Sequence, residues 1–111
     1  MNILLVEDEP TLRAGTEQFL VQRGFTVIAV ASGEEALEQF AEADAIILDI
    51  MLPGISGIEV LHRIRQASDV PVLMLTALHD EPTQIASFDE LADDYMSKPF
   101  SLVILEKRIK A

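Results

Sequence analysis

The residues of this chain with chemistry to offer stand close behind short apolar runs. Glu7 and Asp8 follow residues 3–6, Asp49 follows 45–48, Thr76 follows 70–75, and Lys98 comes just after 95–96. If those runs are parallel strands of one sheet, their C-terminal ends share an edge, where ligands of such sheets bind. Carboxylates crowded there raise each other's pKa unless a cation intervenes. A divalent ion suits the set, because Mg²⁺ takes hard oxygen ligands, one or two carboxylates among them, and completes its octahedron with water and phosphate oxygens. Lys98 would reach further phosphoryl oxygens as a point charge, and the Thr76 hydroxyl would hydrogen-bond one. With no His, Cys or Ser placed as a nucleophile, the candidate is a carboxylate, which forms an acyl phosphate in phosphoryl transfer.

The elements that must position these groups alternate along the chain. A fifth apolar run covers residues 25–30. Pro10 can open a first helix, with Leu12, Thr16, Phe19 and Leu20 inward, ending at Gly24. Ser32 and Glu35 have capping-box spacing ahead of Ala36, Leu37 and Phe40. Gly57 precedes Ile58, Leu61 and Ile64 in a third helix. Pro82 suits the first turn of a fourth, reaching Leu91. Ser101 can cap a fifth that aligns Leu102, Leu105 and Ile109. Such alternation predicts an α/β fold, a (βα)5 doubly wound parallel sheet. Alternation alone does not dictate the strand order; the flavodoxin-like order 2-1-3-4-5 is the one expected here, and it sets Glu7 and Asp8 beside Asp49.

Composition narrows the class. The 111 residues suffice for one domain with a single core, and 50% of them are hydrophobic. The formal charge of −11 repels phosphate backbones, so this chain is not itself a DNA-binding module. It has no cysteine, no basic leader and no apolar run approaching ~20 residues, and reads as a soluble cytoplasmic protein without a membrane segment.

Four segments carry a family resemblance: Leu4-Leu-Val-Glu-Asp-Glu-Pro10, Leu48-Asp-Ile-Met-Leu-Pro-Gly-Ile-Ser-Gly57, Leu75-Thr-Ala77 and Ala92-Asp-Asp-Tyr-Met-Ser-Lys-Pro-Phe100. In order and spacing they resemble the receiver domain of two-component response regulators, most closely those attached to winged-helix DNA-binding output domains. The resemblance implies that Asp49 is the phosphoacceptor for a sensor histidine kinase. Asp8, Asp49 and the Met51 backbone carbonyl would ligate Mg²⁺ (or Mn²⁺), with Glu7 alongside through water. Thr76, Ala77 and Lys98 would bind the phosphoryl group, Thr76 and Tyr95 would form the switch pair, and the peptide before Pro99 would be cis. It further implies a homodimer through the fourth helix, fifth strand and fifth helix, with Phe88, Glu90, Asp94 and Arg108 as interface candidates. Gln84 and Ile104 depart from that subfamily's charge pattern, and Leu91 from its glycine. Residues 1–111 are then expected to be one receiver domain ending inside the fifth helix of a longer regulator, with DNA reached only through an output domain.

Two other classes compete. A Mg²⁺-dependent phosphohydrolase would use Asp8 or Asp49 as nucleophile, but no long insertion offers a lid. A phosphorylation-independent interaction module would keep only the fold, and the intact Asp8, Asp49, Thr76 and Lys98 set speaks against it. Taken singly, an acid after a strand is often a helix cap. Met51 and Leu78 occupy the positions that tune hydrolysis in the resembled family, and neither apolar side chain can orient a water. The phosphorylated chain should therefore persist well beyond seconds when its mass is followed after removal of the phosphodonor; decay within seconds would contradict this.

Overall fold

The computed structural model of the chain describes residues 1–77 and 92–111. The expected fourth helix lies outside them, and with it Leu78, Phe88 and Glu90. Five parallel strands form one sheet: β1 (Asn2–Val6), β2 (Thr26–Val30), β3 (Ala45–Asp49), β4 (Val72–Ala77) and β5 (Asp94–Lys98). Their order is β2-β1-β3-β4-β5, the flavodoxin-like order expected. The helices are α1 (Pro10–Gln22), α2 (Gly33–Gln39), α3 (Gly57–Arg65) and α4 (Leu102–Lys110), the last being the fifth in the sequence reading. A single 3-10 turn, Phe40–Glu42, follows α2.

The period of two along each strand divides the core. Leu4, Val6, Ile46, Leu48, Val72 and Met74 face Ala36 of α2 and Val60, Leu61 and Ile64 of α3. Ile3, Leu5, Ile47, Leu73, Leu75 and Met96 face Leu20 of α1 and Leu105 of α4. Covered on both faces, β3 is buried at every position, which is why it reads as an unbroken apolar run. Strand ends differ from the sequence reading. β4 runs on through Thr76 to Ala77, and β5 spans Asp94–Lys98 rather than two residues. Thr76, Ser97 and Lys98 carry no hydrophobic signal, yet their backbones continue the ladder, Thr76 opposite Ser97 and Ala77 opposite Lys98.

Local capping closes the helices as expected at Ser32 and Ser101, with two additions, Ser56 and Glu9. The hydroxyls of Ser32, Ser56 and Ser101 accept from the amides of Glu35, Glu59 and Ile104. At α1 the cap is Glu9, whose carboxylate accepts from the amides of Thr11 and Leu12. Gly57 is required by a close approach: a Cβ there would overlap the Asp49 carbonyl oxygen and come within 2.8 Å of the Ile50 Cα. Gly15 has open space around it.

The two glycines should therefore respond oppositely to alanine. By urea unfolding, Gly57→Ala is expected to lose about 1–3 kcal/mol through overpacking against backbone that cannot yield. Gly15→Ala is expected to gain about 1 kcal/mol from helix propensity.

Candidate functional site

Register brings the predicted residues to one edge. Val6 lies opposite Leu48 and Asp49 opposite Leu75, so Glu7 leaves β1 in the row where Asp49 ends β3. Strand parity sends Glu7, Asp49 and Lys98 to the α1/α4 side of the sheet, in line with Leu5, Ile47 and Met96. Lys98 lies two strands from Asp49, about 10 Å at the usual spacing. Its long stem crosses the end of β4, and the ammonium bridges Glu7 Oε1 at 2.7 Å and Asp49 Oδ2 at 2.6 Å. The Lys98–Pro99 peptide is cis, as expected.

The remaining carboxylate oxygens are held by the chain that follows each acid. Asp49 Oδ1 accepts from the Met51 amide at 3.1 Å, and Glu7 Oε2 from the Glu9 amide at 3.1 Å. Each acid thus braces the amide two residues on, turning the loop out of its strand. Glu7 is 1% and Asp49 3% exposed, so the Lys98 charge has little water to compete with. Burial pushes the Glu7 carboxyl above the usual range; the Lys98 hydrogen bond pulls it back only in part, while Asp49 adds to the rise. For Lys98 burial works downward, but the hydrogen bonds and charges of Asp49 and Glu7 outweigh it, and its pKa is raised.

Asp8 completes the cluster from the exposed side. One carboxylate oxygen from each of Glu7, Asp8 and Asp49 lies within 4.8 Å of the others. The donors are all hard oxygens, two buried and one open to solvent, a set that fits a hard divalent cation retaining water. Met51 lies beside it with its side chain exposed.

Two of the predicted residues hold partners within the chain. Lys98 rests on the carboxylates of Glu7 and Asp49. Thr76 is buried, but its parity places it on the opposite face from the acids, and its hydroxyl donates to the Met96 carbonyl at 3.4 Å. Tyr95, opposite Met74, shares that face as the diagonal neighbour of Thr76, and is 41% exposed. Of the interface candidates within the described residues, Asp94 and Arg108 pair with each other, at 2.9 and 3.1 Å.

The sequence reading missed two contributors beside the acids. Glu9 caps α1, although glutamate is not among the favoured cap residues. Arg13 reaches back from α1 to donate to the carbonyls of Glu7 at 3.0 Å and Asp8 at 3.4 Å. A cation in the first turn of a helix, against the macrodipole, was the available signal.

The fold and site together define a doubly wound α/β protein with a carboxylate cluster and a lysine at its switch point. The response regulator receiver domain matches residues 3–110, and the chain belongs to that family. It is 50% identical to response regulator RR06 of Streptococcus pneumoniae over 113 aligned positions, covering all of this chain and 52% of that protein. It is 40% identical to the transcriptional regulatory protein AfsQ1 of Streptomyces coelicolor, covering 99% of this chain and 50% of that protein. The chain thus spans about half the length of these relatives. Among solved structures it resembles the response regulator TrrA of Thermotoga maritima, in complex with Mg²⁺-BeF, at 37% identity and a TM-score of 0.86, covering 98% of this chain and 96% of that one. Among the described residues no helix is long and apolar enough to cross a membrane.

Removing the Lys98 charge leaves two buried carboxylates facing each other. In metal-free buffer, Lys98→Met should lower unfolding stability by about 3 kcal/mol, the low end for breaking a buried pair because the ammonium is partly exposed. The loss should shrink in the Asp49→Asn background, as measured by a double-mutant cycle.

Proposed function

We propose that Asp49 is the phosphoacceptor of a signalling switch, charged by the phosphohistidine of a partner sensor kinase. The observation that carries this is the buried Asp49 carboxylate, bridged to Lys98 and clustered with Asp8 and Glu7, in a chain of the receiver family. Lys98 and the Met51 amide orient the carboxylate. An Asp49 oxygen attacks phosphorus, the bond to the imidazole nitrogen breaks with its electron pair leaving on the ring, and an acyl phosphate forms. Asp8, Asp49 and the Met51 carbonyl would hold Mg²⁺ or Mn²⁺, with Glu7 acting through water. When bound, the ion neutralises charge on the transferring oxygens.

Lys98 then follows the new charge. Its ammonium leaves Asp49 for a phosphoryl oxygen, while Thr76 and Ala77 at the end of β4 offer the group further hydrogen bonds. The Thr76 hydroxyl turns away from the Met96 carbonyl, and the Tyr95 ring moves into the space it vacates. Inverting a 1:99 population requires about 5.5 kcal/mol of difference between the states, and charge-assisted bonds present in only one of them are the source.

The relatives support a reading of the output. In this reading the switched face, including β5 and α4, controls a transcription-regulating partner domain that touches DNA in place of this acidic chain, inside the cytoplasm. A second copy would dock on the same face. Asp94 and Arg108 would exchange their mutual pair for partners across the interface, and Ile104, 49% exposed, would add an apolar contact where an ion pair is missing. Phe88 and Glu90 complete the candidates.

Incubation with acetyl phosphate, followed by intact mass, tests the phosphoacceptor directly. One Mg²⁺-dependent phosphoryl adduct is expected for the wild type and none for Asp49→Asn. A folded wild-type chain that takes up no phosphoryl group would favour an interaction module instead.

A further inference from the structure

Arg13 donates to three successive carbonyls. Its backbone amide bonds the Glu9 oxygen at 2.9 Å, and its guanidinium Nη1 bonds the oxygens of Glu7 at 3.0 Å and Asp8 at 3.4 Å. The carbonyls of Glu7 and Asp8 belong to the two peptide planes that flank the Asp8 Cα. Holding both planes fixes φ and ψ at Asp8, and with them the direction of its Cβ. Asp8 is exposed, so side-chain packing does little to aim it. The arginine also stands where helix electrostatics disfavour it, in the first turn of α1, which contains no acidic residue. A local rule broken beside a functional site points to a use for the residue there.

We propose that Arg13 is a positioning residue for Asp8: it locks the turn between β1 and α1 so that the Asp8 carboxylate stays over Asp49 in the geometry that a divalent cation requires. This rests on the reading of the acid cluster as a cation site. Positioning and plain electrostatics have opposite signs here. A cation close to the cluster repels Mg²⁺, so if charge alone mattered, its removal would tighten binding. If Arg13 acts by fixing the Asp8 backbone, its removal weakens binding. Lysine keeps the charge but not the planar fork that spans two carbonyls.

The test is calorimetric titration of Mg²⁺ into wild type, Arg13→Gln and Arg13→Lys at constant ionic strength, with amide exchange of each metal-free chain. Arg13→Gln is expected to weaken Mg²⁺ by about 10-fold or more, the usual cost of losing a group that orients a metal ligand. Arg13→Lys is expected to weaken it as well. Without metal, the amides of Glu9, Thr11 and Leu12 should exchange faster in both variants, while β3 amides keep their protection. Unchanged or tighter Mg²⁺ binding in Arg13→Gln overturns the proposal. If the wild type binds no Mg²⁺, the cation reading of the cluster falls by itself. The exchange data then decide the role of Arg13, and undisturbed loop amides count against it.

Discussion

Two buried carboxylates share one ammonium, and the rest of the site is arranged around that fact. Glu7 and Asp49 leave neighbouring strands in the same row and face the same side of the sheet. Left alone, they would repel in surroundings that screen poorly. Lys98 resolves this with one bond to each. The arrangement needs β5 next to β4 and β4 next to β3, so that a lysine two strands away lies within a side chain's length. The strand order is thus the condition that lets distant parts of the sequence neutralise each other.

The loops after the acids are under comparable control. Glu7 and Asp49 each accept from the amide two residues on, so both chain reversals are tied to the groups they display. Gly57 brings the start of α3 against the Asp49 carbonyl, and the Gly57 amide bonds the Ile50 oxygen at 2.9 Å. The Ile50 amide in turn bonds Leu75 of β4 at 3.1 Å. The loops after β1 and β3 are therefore tied to their own acids and, through Ile50, to β4.

Most of this architecture was legible in the sequence, for identifiable reasons. Strands buried on both faces must be continuously apolar, so residues 3–6 and 45–48 declared themselves, and the strand order followed from alternation and resemblance. The polar ends of β4 and β5 did not, because Thr76, Ser97 and Lys98 extend the sheet through backbone bonds that leave no trace in hydropathy. The acids, the lysine and the cis peptide at Pro99 came from motifs. What Lys98 binds depends on register and reach, quantities that a linear pattern does not hold. Arg13 and Glu9 were missed because their targets are backbone groups, for which no spacing rule selects an arginine or a glutamate.

Parity along the strands also bears on how a chemical event at the acids can be felt elsewhere. Asp49 and Lys98 lie on the α1/α4 side, whereas Thr76 and Tyr95 lie on the other, on adjacent strands and diagonal to one another. In the proposed reaction new charge appears on the first side. In the proposed switch Thr76, one residue from the end of β4, would give up the Met96 carbonyl and reach the phosphoryl group. Its movement would free volume on the face that carries Tyr95, which is 41% exposed. A larger side chain at Thr76 would obstruct the ring in both states, and one without a hydroxyl would leave nothing for the phosphoryl group to draw. A small hydroxyl residue at the strand end would satisfy both demands, and the proposed switch would then cross the sheet without disturbing its hydrogen-bonded core.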